Sequence, residues 1–314
     1  MSKPRKNLAK NSQKIIVILG PTSSGKTGLG VKLADKFDGE IISADSRQVY
    51  RGMDIGTGKD LAEYKVGKKR IPYHLIDVVS PKIVFSLAKY QKLAFKVIDD
   101  ILARGKLPII VGGTGLYLQA VVDNYKLSQA KPDKELREKL EKLDVDELYK
   151  KLLKLNSKFA NKLHQSDKKN KRRLIRYIEI ANQYEFNHEL TQINNRYEFL
   201  LLGLTWPKKV LNEKIYQRLI ERLEKEDMVD EVKKLHQQGV SWKRLKSFGL
   251  EYKYIALYLQ KELSYDEMVE KLNIAIRRFA KRQMTWFRRW EKQGGKIYWF
   301  NDQREAEKLV QRFK

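Results

Sequence analysis

Residues 15–27 read IIVILGPTSSGKT, a β-branched apolar run followed by a glycine-rich loop that ends in Lys26 and Thr27. The apolar run at 15–19 is typical of a buried strand, and residues 27–37 carry leucine and phenylalanine at the spacing of a helix face. A strand, a GxxxxGKT loop and a helix in this order predict a phosphate-binding loop. The stretch therefore favours an α/β fold with a P-loop-type parallel sheet.

Each part of the loop has a physical role in binding an anion. The glycines let backbone N–H groups point inward, and the start of the following helix adds the positive end of its dipole. Lys26 supplies a positive charge, and Thr27 offers a hydroxyl to Mg²⁺. We therefore expect a di- or triphosphate to bind to Gly20, Pro21, Thr22, Ser23, Ser24, Gly25, Lys26 and Thr27.

The alternation of strands and helices continues to about residue 124. The apolar runs IIVIL, EIIS, YHLID and LPIIVGG alternate with helical stretches at residues 27–37 and 86–105. This pattern predicts a parallel sheet wrapped by helices.

The last of these strands is not followed by an acid. Kinases and ATPases of this fold usually hold magnesium with a second carboxylate after a later strand. Residues 107–117 read LPIIVGGTGLY, so Gly112, Gly113 and Thr114 follow the strand instead. Asp45, which follows EIISA, could serve the metal or act as a general base. Nucleotide hydrolysis is therefore less favoured, although it stays open.

The chain divides into four segments by composition. Residues 1–14 are basic and predict a disordered arm, and residues 15–124 form the P-loop α/β core. Residues 125–196 are dense in lysine and glutamate and lose the strand pattern, which predicts an all-helical insertion domain. The remainder, 197–314, returns to the core: FLLLGLTW at 199–206 predicts a strand that rejoins the sheet, and a mostly helical part follows.

Charge and composition limit the partners. Lys plus Arg number 65 against 39 for Asp plus Glu, a formal net charge of +26. Such an excess favours a nucleic acid, with an anionic membrane surface as the lesser option. No apolar stretch approaches the roughly 20 residues of a membrane span, so we expect no membrane partner. The absence of cysteine excludes disulfides and sulfur-ligated zinc fingers.

The segment RRFAKRQMTWFRRWEK near the C-terminus predicts a basic amphipathic helix. Its arginines and lysines suit phosphate contact, and one or two of them could reach inward to the diphosphate. We expect its aromatic residues to belong mainly to the core. These aromatics are Phe279, Trp286, Phe287 and Trp290.

Several blocks of the chain together resemble the tRNA dimethylallyltransferase family of the bacterial type, the tRNA A37 isopentenyltransferases. The resemblance runs in order from about residue 15 to residue 300. Its most specific parts are DSRQVYRGMDIGT and GGTGLY. The full set is GPTSSGKT, GEIISADSRQVYRGMDIGTGK, YHLIDV, GKLPIIVGGTGLYLQAVV, RRLIRYIEI, FLLLGLTWP and AKRQMTWFRRW.

The resemblance implies a reaction and its components. Family members transfer the dimethylallyl group of dimethylallyl diphosphate to N6 of adenosine 37 in the tRNA anticodon stem-loop, releasing diphosphate. The loop at residues 20–27 then holds the diphosphate and its Mg²⁺. Asp45 matches the general base, with Lys26 and Thr114 as further catalytic residues. A cytoplasmic, monomeric enzyme is expected.

The resemblance also implies RNA contacts, including some from the insertion domain. The motif FGLEYKYI departs from the family's usual GYK or GYR, so the register of contacts at 246–253 is open. Thr114 has an alternative role in a tight turn that caps the next helix. The expected RNA-binding residues are Asp45, Ser46, Arg47, Gln48, Thr114, Arg137, Arg172, Arg173, Arg176, Lys246 and Lys253.

Three other functions fit parts of the sequence. A P-loop small-molecule kinase would account for the first half but not for the basic helical half. An adenylate isopentenyltransferase would share the core and the chemistry, yet a free nucleotide needs no extended cationic surface. A non-catalytic RNA-binding protein would not need Lys26, Thr27 and Asp45 together.

Overall fold

A computed structural model describes residues 13–128, 130–183 and 197–314. Residues 1–12 of the predicted arm and 184–196 of the predicted insertion lie outside the described residues. The chain forms two compact units, of which the first comprises Met1–Asn124 with Asn194–Lys314 and the second comprises Tyr125–Ile193.

The first unit is built on a six-stranded sheet in the order β5-β2-β6-β1-β7-β8, in which every neighbouring pair is parallel. This arrangement confirms the predicted fold class. A short antiparallel hairpin, β3 with β4, stands apart from it. The strands are β1 Gln13–Leu19, β2 Gly39–Ser43, β3 Lys65–Val66, β4 Lys69–Arg70, β5 Tyr73–His74, β6 Leu107–Gly112, β7 Tyr197–Leu204 and β8 Ile297–Phe300.

Helices cover both faces of the sheet. Among the described residues, α1–α3 and α9–α14 belong to the first unit and α4–α8 to the second. The helices are α1 Lys26–Lys36, α2 Leu87–Ala103, α3 Gly115–Val122, α4 Lys134–Leu140, α5 Val145–Leu155, α6 Ser157–Lys162, α7 Gln165–Lys168, α8 Lys171–Gln183, α9 Lys208–Glu224, α10 Met228–Gln237, α11 Trp242–Phe248, α12 Leu250–Leu259, α13 Tyr265–Lys292 and α14 Gln303–Phe313, with a 3₁₀ turn at Leu61–Tyr64.

The central strand β1 explains why its sequence is continuously apolar. Ile15, Val17 and Leu19 point into one core, whereas Ile16 and Ile18 point into the other. All five side chains are fully buried. A parallel strand covered on both faces therefore needs an unbroken apolar run rather than an alternating one.

Local signals place the helix ends. Ser86 caps α2 by accepting the Lys89 N–H at 3.3 Å, and Gly105 follows that helix with φ +71°. The long helix α13 begins with a capping box in which Ser264 and Glu267 bond to each other's backbone N–H. A second capping box starts α5.

The second unit has its own small apolar core. Its members come from the inward faces of α4, α5, α6 and α8, in keeping with the predicted helical character of this segment. They are Leu140, Leu148, Leu152, Phe159, Ala160, Leu174, Ile175 and Ile178.

Two strand predictions need correction. The strand β1 begins at Gln13, before the predicted residue 15. The run YHLID forms a strand only at Tyr73–His74, because Leu75 and Asp77 adopt positive φ values of 62° and 56°. The part after residue 207, predicted to be mostly helical, contains the six helices α9–α14 and also the short edge strand β8.

Among the helices of the described residues, none combines the length and the apolar character that crossing a bilayer would require. The 28-residue helix α13 has lysine and arginine throughout its length.

Candidate active site

A cavity of about 680 Å³ lies in the first unit, beyond the carboxyl ends of β1, β2 and β6. Ligands of open parallel α/β sheets bind at this edge. Its walls come from the phosphate loop, the segment at residues 45–48, the turn after β6 and the helices α9, α12 and α13.

The phosphate loop has the backbone that its glycines predicted. Gly20 has φ +153°, and a Cβ at this position would lie 2.3 Å from the Leu204 carbonyl oxygen. Gly25 is in the left-handed region at φ +87°, immediately before α1. The Trp206 indole donates to the Ser24 carbonyl at 3.0 Å and steadies the loop from outside.

The eight loop residues divide into two groups. Thr22, Ser23, Lys26 and Thr27 line the cavity. The other loop residues shape the turn behind them, and the Ser24 side chain is buried. The loop therefore presents three hydroxyl-bearing residues, Thr22, Ser23 and Thr27, together with Lys26, to any bound anion.

Lys26 lies near one cation, Arg218, and one anion, Asp45. Its Nζ donates to the Pro21 carbonyl at 2.6 Å. Burial and, to a smaller extent, the charge of Arg218 lower the pKa of Lys26 from 10.5 to about 8, against the opposing effect of Asp45. The lysine thus stays mostly protonated at neutral pH, and its charge depends on the nearby carboxylate.

The predicted base and its neighbours form one wall. Asp45 Oδ1 accepts the Arg47 N–H at 2.8 Å, and Gln48 Nε2 donates to the Gly58 carbonyl at 2.9 Å. Burial lowers the pKa of Arg47, and its guanidinium lies 5.5 Å from the Phe248 ring centre. The structure therefore brings the polar run at 45–48 together with the phosphate loop.

Thr114 joins this wall from the turn after β6. It occupies the position before α3, but its side chain makes no capping bond. Instead its Oγ1 accepts the Ser46 N–H at 3.2 Å. Thr114 therefore supports the segment that carries Asp45. It stands at the position before α3 that the alternative predicted, but its side chain does not cap the helix.

Sequence reasoning missed two arginines of α9 in the cavity wall. Arg218 forms an ion pair with Asp60, and Arg222 Nη2 lies 3.3 Å from Asp60 Oδ1. A Cβ at Gly58 would lie 2.3 Å from Arg222 Nη2, so glycine leaves room for the guanidinium. The only available signal was their i,i+4 spacing on one helix face, which many surface helices share.

The basic helix α13 contributes on both its sides. Arg278 and Arg282 line the cavity. Phe287 and Trp290 are buried in the core as predicted. Trp286 packs against the same core from a half-buried position and also lines the cavity, as does the half-buried Phe279.

The loop at residues 54–58 is fastened by an acid from α10. Glu231 Oε2 accepts the N–H groups of Asp54 and Ile55, both at 2.7 Å. The Tyr252 hydroxyl donates to Glu231 Oε1 at 2.7 Å. A Cβ at Gly56 would lie 2.8 Å from the Tyr252 ring, so the loop can pack directly on the tyrosine.

The motif FGLEYKYI puts an acid into the cavity wall. Burial raises the pKa of Glu251, while Arg222 and Arg218 oppose that shift. Lys253 lines the cavity as well. Lys246 does not, because its Nζ pairs with Glu262 at 2.6 Å outside the wall.

The arginines predicted in the second unit are used differently from one another. Arg137 and Arg176 both pair with the fully buried Glu179, with Arg137 Nη2 at 2.8 Å and Arg176 Nη1 at 3.1 Å. Arg173 pairs with Asp167. Arg172 is exposed, and its side chain has no bond within the described part of the chain. Two of the predicted RNA contacts therefore also organise their own unit.

Thr27 and Asp45 provide oxygen donors of the kind that Mg²⁺ prefers, and both line the cavity. Within the described ranges, no group of three His, Cys, Asp or Glu side chains could hold a metal. Since Mg²⁺ usually takes one or two protein ligands together with substrate phosphates, these donors fit an ion shared with a diphosphate.

Comparisons with known proteins agree on one family. Residues 48–290 match the family model described as IPP transferase. The chain is 50% identical over 287 residues to tRNA dimethylallyltransferase 1 of Syntrophus aciditrophicus, covering 91% of this chain and 92% of that protein. The crystal structure of the tRNA isopentenylpyrophosphate transferase of Bacillus halodurans is similar at a TM-score of 0.67 and 34% identity, over 96% of this chain and 97% of that one. A eukaryotic dimethylallyltransferase acting on tRNA has a TM-score of 0.75 at 28% identity, over 92% of this chain and 74% of that one.

Proposed function

Because the chain belongs to the IPP transferase family of tRNA dimethylallyltransferases, we propose that its prenyl donor is dimethylallyl diphosphate and its acceptor atom is N6 of adenosine 37. The observation that carries this proposal is one cavity with a cationic phosphate loop on one side and the carboxylate of Asp45 on another. The turn after β6 offers no second acid of the kind that ATPases use.

The phosphate loop stabilises the leaving group. An allylic C–O bond breaks readily once the charge of the departing diphosphate is neutralised. Lys26 and the loop N–H groups supply that neutralisation, and Arg218 and Arg222 add positive charge from α9. A preorganised cationic site of this kind is usually the largest single contribution to rate.

Asp45 acts on the acceptor. The N6 lone pair attacks the allylic carbon, so a C–N bond forms as the C–O bond breaks and diphosphate leaves with the bonding electrons. One N6 proton passes to the Asp45 carboxylate, which balances the charge on the new amine. General-base catalysis of this type contributes about 10²- to 10⁴-fold in rate.

Mg²⁺ is part of the proposal. Thr27 would hold the ion through its hydroxyl, and the ion would neutralise charge on the diphosphate oxygens. Lys26, in the cavity wall, would neutralise the diphosphate charge that the ion leaves unbalanced.

The tRNA must present adenosine 37 outside its stack, since an amine inside the anticodon loop cannot reach the cavity. A net charge of +26 supports binding of the surrounding phosphates. We assign Ser46, Arg47 and Gln48 to the target nucleotide, and Lys253 with the exposed Arg172 to the stem-loop. We further propose that the enzyme acts as a monomer in the cytoplasm, where its tRNA substrate is found.

A labelling assay tests the proposal. The protein is incubated with Mg²⁺ and radiolabelled dimethylallyl diphosphate, and with unmodified tRNA, the same tRNA carrying guanosine at position 37, or AMP. We expect label only in the tRNA with adenosine 37. Label in AMP would instead support an adenylate isopentenyltransferase. Phosphate transfer from ATP to a small molecule, without any prenyl transfer, would support a kinase.

A further inference from the structure

The amide of Gln283 in α13 joins two parts of the cavity wall that are far apart in the sequence. Its Oε1 accepts the Thr22 N–H of the phosphate loop at 2.9 Å, and its Nε2 donates to the Gly113 carbonyl at 2.8 Å. The residue is only 7% exposed, and its bond to the Gly113 carbonyl is buried, whereas its bond to Thr22 lies at the cavity wall. One planar amide therefore ties the loop after β1 to the turn after β6.

The turn at Gly113 is itself bonded to the segment that carries the proposed base. The Thr114 N–H donates to the Ala44 carbonyl at 3.3 Å, and the Ser46 N–H donates to Thr114 Oγ1 at 3.2 Å. Asp45 lies between these two contacts in the sequence. A continuous chain of hydrogen bonds thus runs from the phosphate loop, through the glutamine amide and the turn, to both neighbours of the carboxylate.

The space around the amide is closely matched to it. A Cβ at Gly113 would lie 2.3 Å from Gln283 Nε2. Glycine therefore lets the amide reach the carbonyl, and a larger residue would push it away.

We propose that Gln283 is a positioning residue that sets the separation between the bound diphosphate and the carboxylate of Asp45. The inference rests on the proposed prenyl transfer. Displacement requires the attacking nitrogen, the allylic carbon and the leaving oxygen to be aligned, and a misplacement of about 1 Å can cost about 10²-fold in rate. Because both partners of the amide are backbone groups, losing it acts on turnover more than on substrate affinity.

Turnover at saturating dimethylallyl diphosphate and tRNA is the direct measurement. We expect Gln283→Met, which keeps the volume and removes the amide, to lower kcat about 100-fold and to change either KM by less than about threefold. Gln283→Glu can still accept from the Thr22 N–H but has no donor for the Gly113 carbonyl. Its kcat should therefore lie between those of the wild type and Gln283→Met. Thr285→Ala is the matched control, since this exposed hydroxyl donates to the Lys281 carbonyl of its own helix at 2.9 Å, and the variant should match the wild type.

A double-mutant cycle gives an independent readout. Gly113→Ala alone should lower kcat by displacing the amide. In a Gln283→Ala background the added methyl group meets no amide, so the double variant should be no slower than Gln283→Ala. Such strong non-additivity is expected only if the two residues act through one contact.

Wild-type kcat in both Gln283 variants, or a loss confined to KM, would overturn the assignment. Additive effects in the cycle would do the same, as would activity losses that merely follow the loss of folded protein in thermal unfolding of both variants. A wild-type enzyme that transfers no dimethylallyl group to tRNA would overturn the proposed function and this inference with it. An active wild type beside unaffected variants would overturn the inference alone.

Discussion

Replacing Asp45 with asparagine separates the base from the geometry that surrounds it. Asparagine keeps the side-chain length, and its Oδ1 can still accept the Arg47 N–H, now 2.8 Å from the carboxylate. The segment at 45–48 should therefore keep its conformation. What is lost is the acceptor for the N6 proton, and we expect kcat to fall about 10²- to 10⁴-fold.

The same substitution has a second effect on the donor site. The pKa of Lys26 is about 8 because burial and Arg218 lower it while the Asp45 charge raises it. Removing that charge lowers the lysine pKa further, and a lysine loses its positive charge as the pH rises through its pKa. The variant should therefore lose affinity for dimethylallyl diphosphate at a lower pH than the wild type.

Single-turnover transfer of radiolabel to saturating tRNA is measured from pH 6 to pH 9. It gives the rate of transfer and the pH at which affinity for dimethylallyl diphosphate is lost. Filter binding should show unchanged tRNA affinity, and thermal unfolding should show an intact fold. Asp230→Asn is the matched control, because it removes one exposed carboxylate on α10. A kcat within about threefold of the wild type would refute the general-base role. Recovery of the lost rate at high Mg²⁺ would instead indicate that Asp45 binds the metal ion.

Three further predictions concern other parts of the molecule. Thr27→Ala should raise the Mg²⁺ concentration needed for half-maximal transfer, whereas Thr27→Ser should not; identical titrations would exclude Thr27 as a ligand. Hydrogen bonds from Arg104 and, to a smaller extent, His74 lower the pKa of buried Glu40 to about 2. The stability that the ionised Glu40 carboxylate contributes is therefore complete above about pH 4.5. It disappears as the pH falls through about 2. Arg104→Met should therefore lower the free energy of unfolding, measured with denaturant, clearly at pH 7 and much less at pH 2. Arg172→Ala should raise the KM for tRNA and reduce its salt slope by about 1 at unchanged stability, while Arg137→Ala should lower the thermal midpoint; an unaltered salt slope for the first variant would place Arg172 away from the RNA.

The sheet could be predicted because its strands carry strong local signals. The runs at β1 and β6 are apolar and rich in β-branched residues, and a glycine follows each; β2 carries the shorter pair Ile41–Ile42. The strand β8 has only four residues, Ile297–Phe300, directly after the longest helix. A run this short gains its strand conformation from pairing with β7, which no local pattern records.

The site was predictable where one short motif holds the residues, as in the phosphate loop and the segment at 45–48. It was not predictable where distant helices supply the contacts. Gln283, Arg218 and Arg222 reach the cavity only through the packing of α9 and α13. Likewise, the buried position of Glu179 determines that Arg137 and Arg176 turn inward, and burial of a single acid within a helix leaves no mark in the sequence.

The position of β1 has a consequence for the synthesis of this protein. β1 lies between β6 and β7, and all seven of its residues pair with β7. One side of β1 consequently remains without its partner on the ribosome until β7 has been translated, on the order of ten seconds after β6 at ordinary elongation rates. An unpaired apolar strand invites mispairing with other chains. The half-made polypeptide is therefore the stage at which chaperone assistance should matter most.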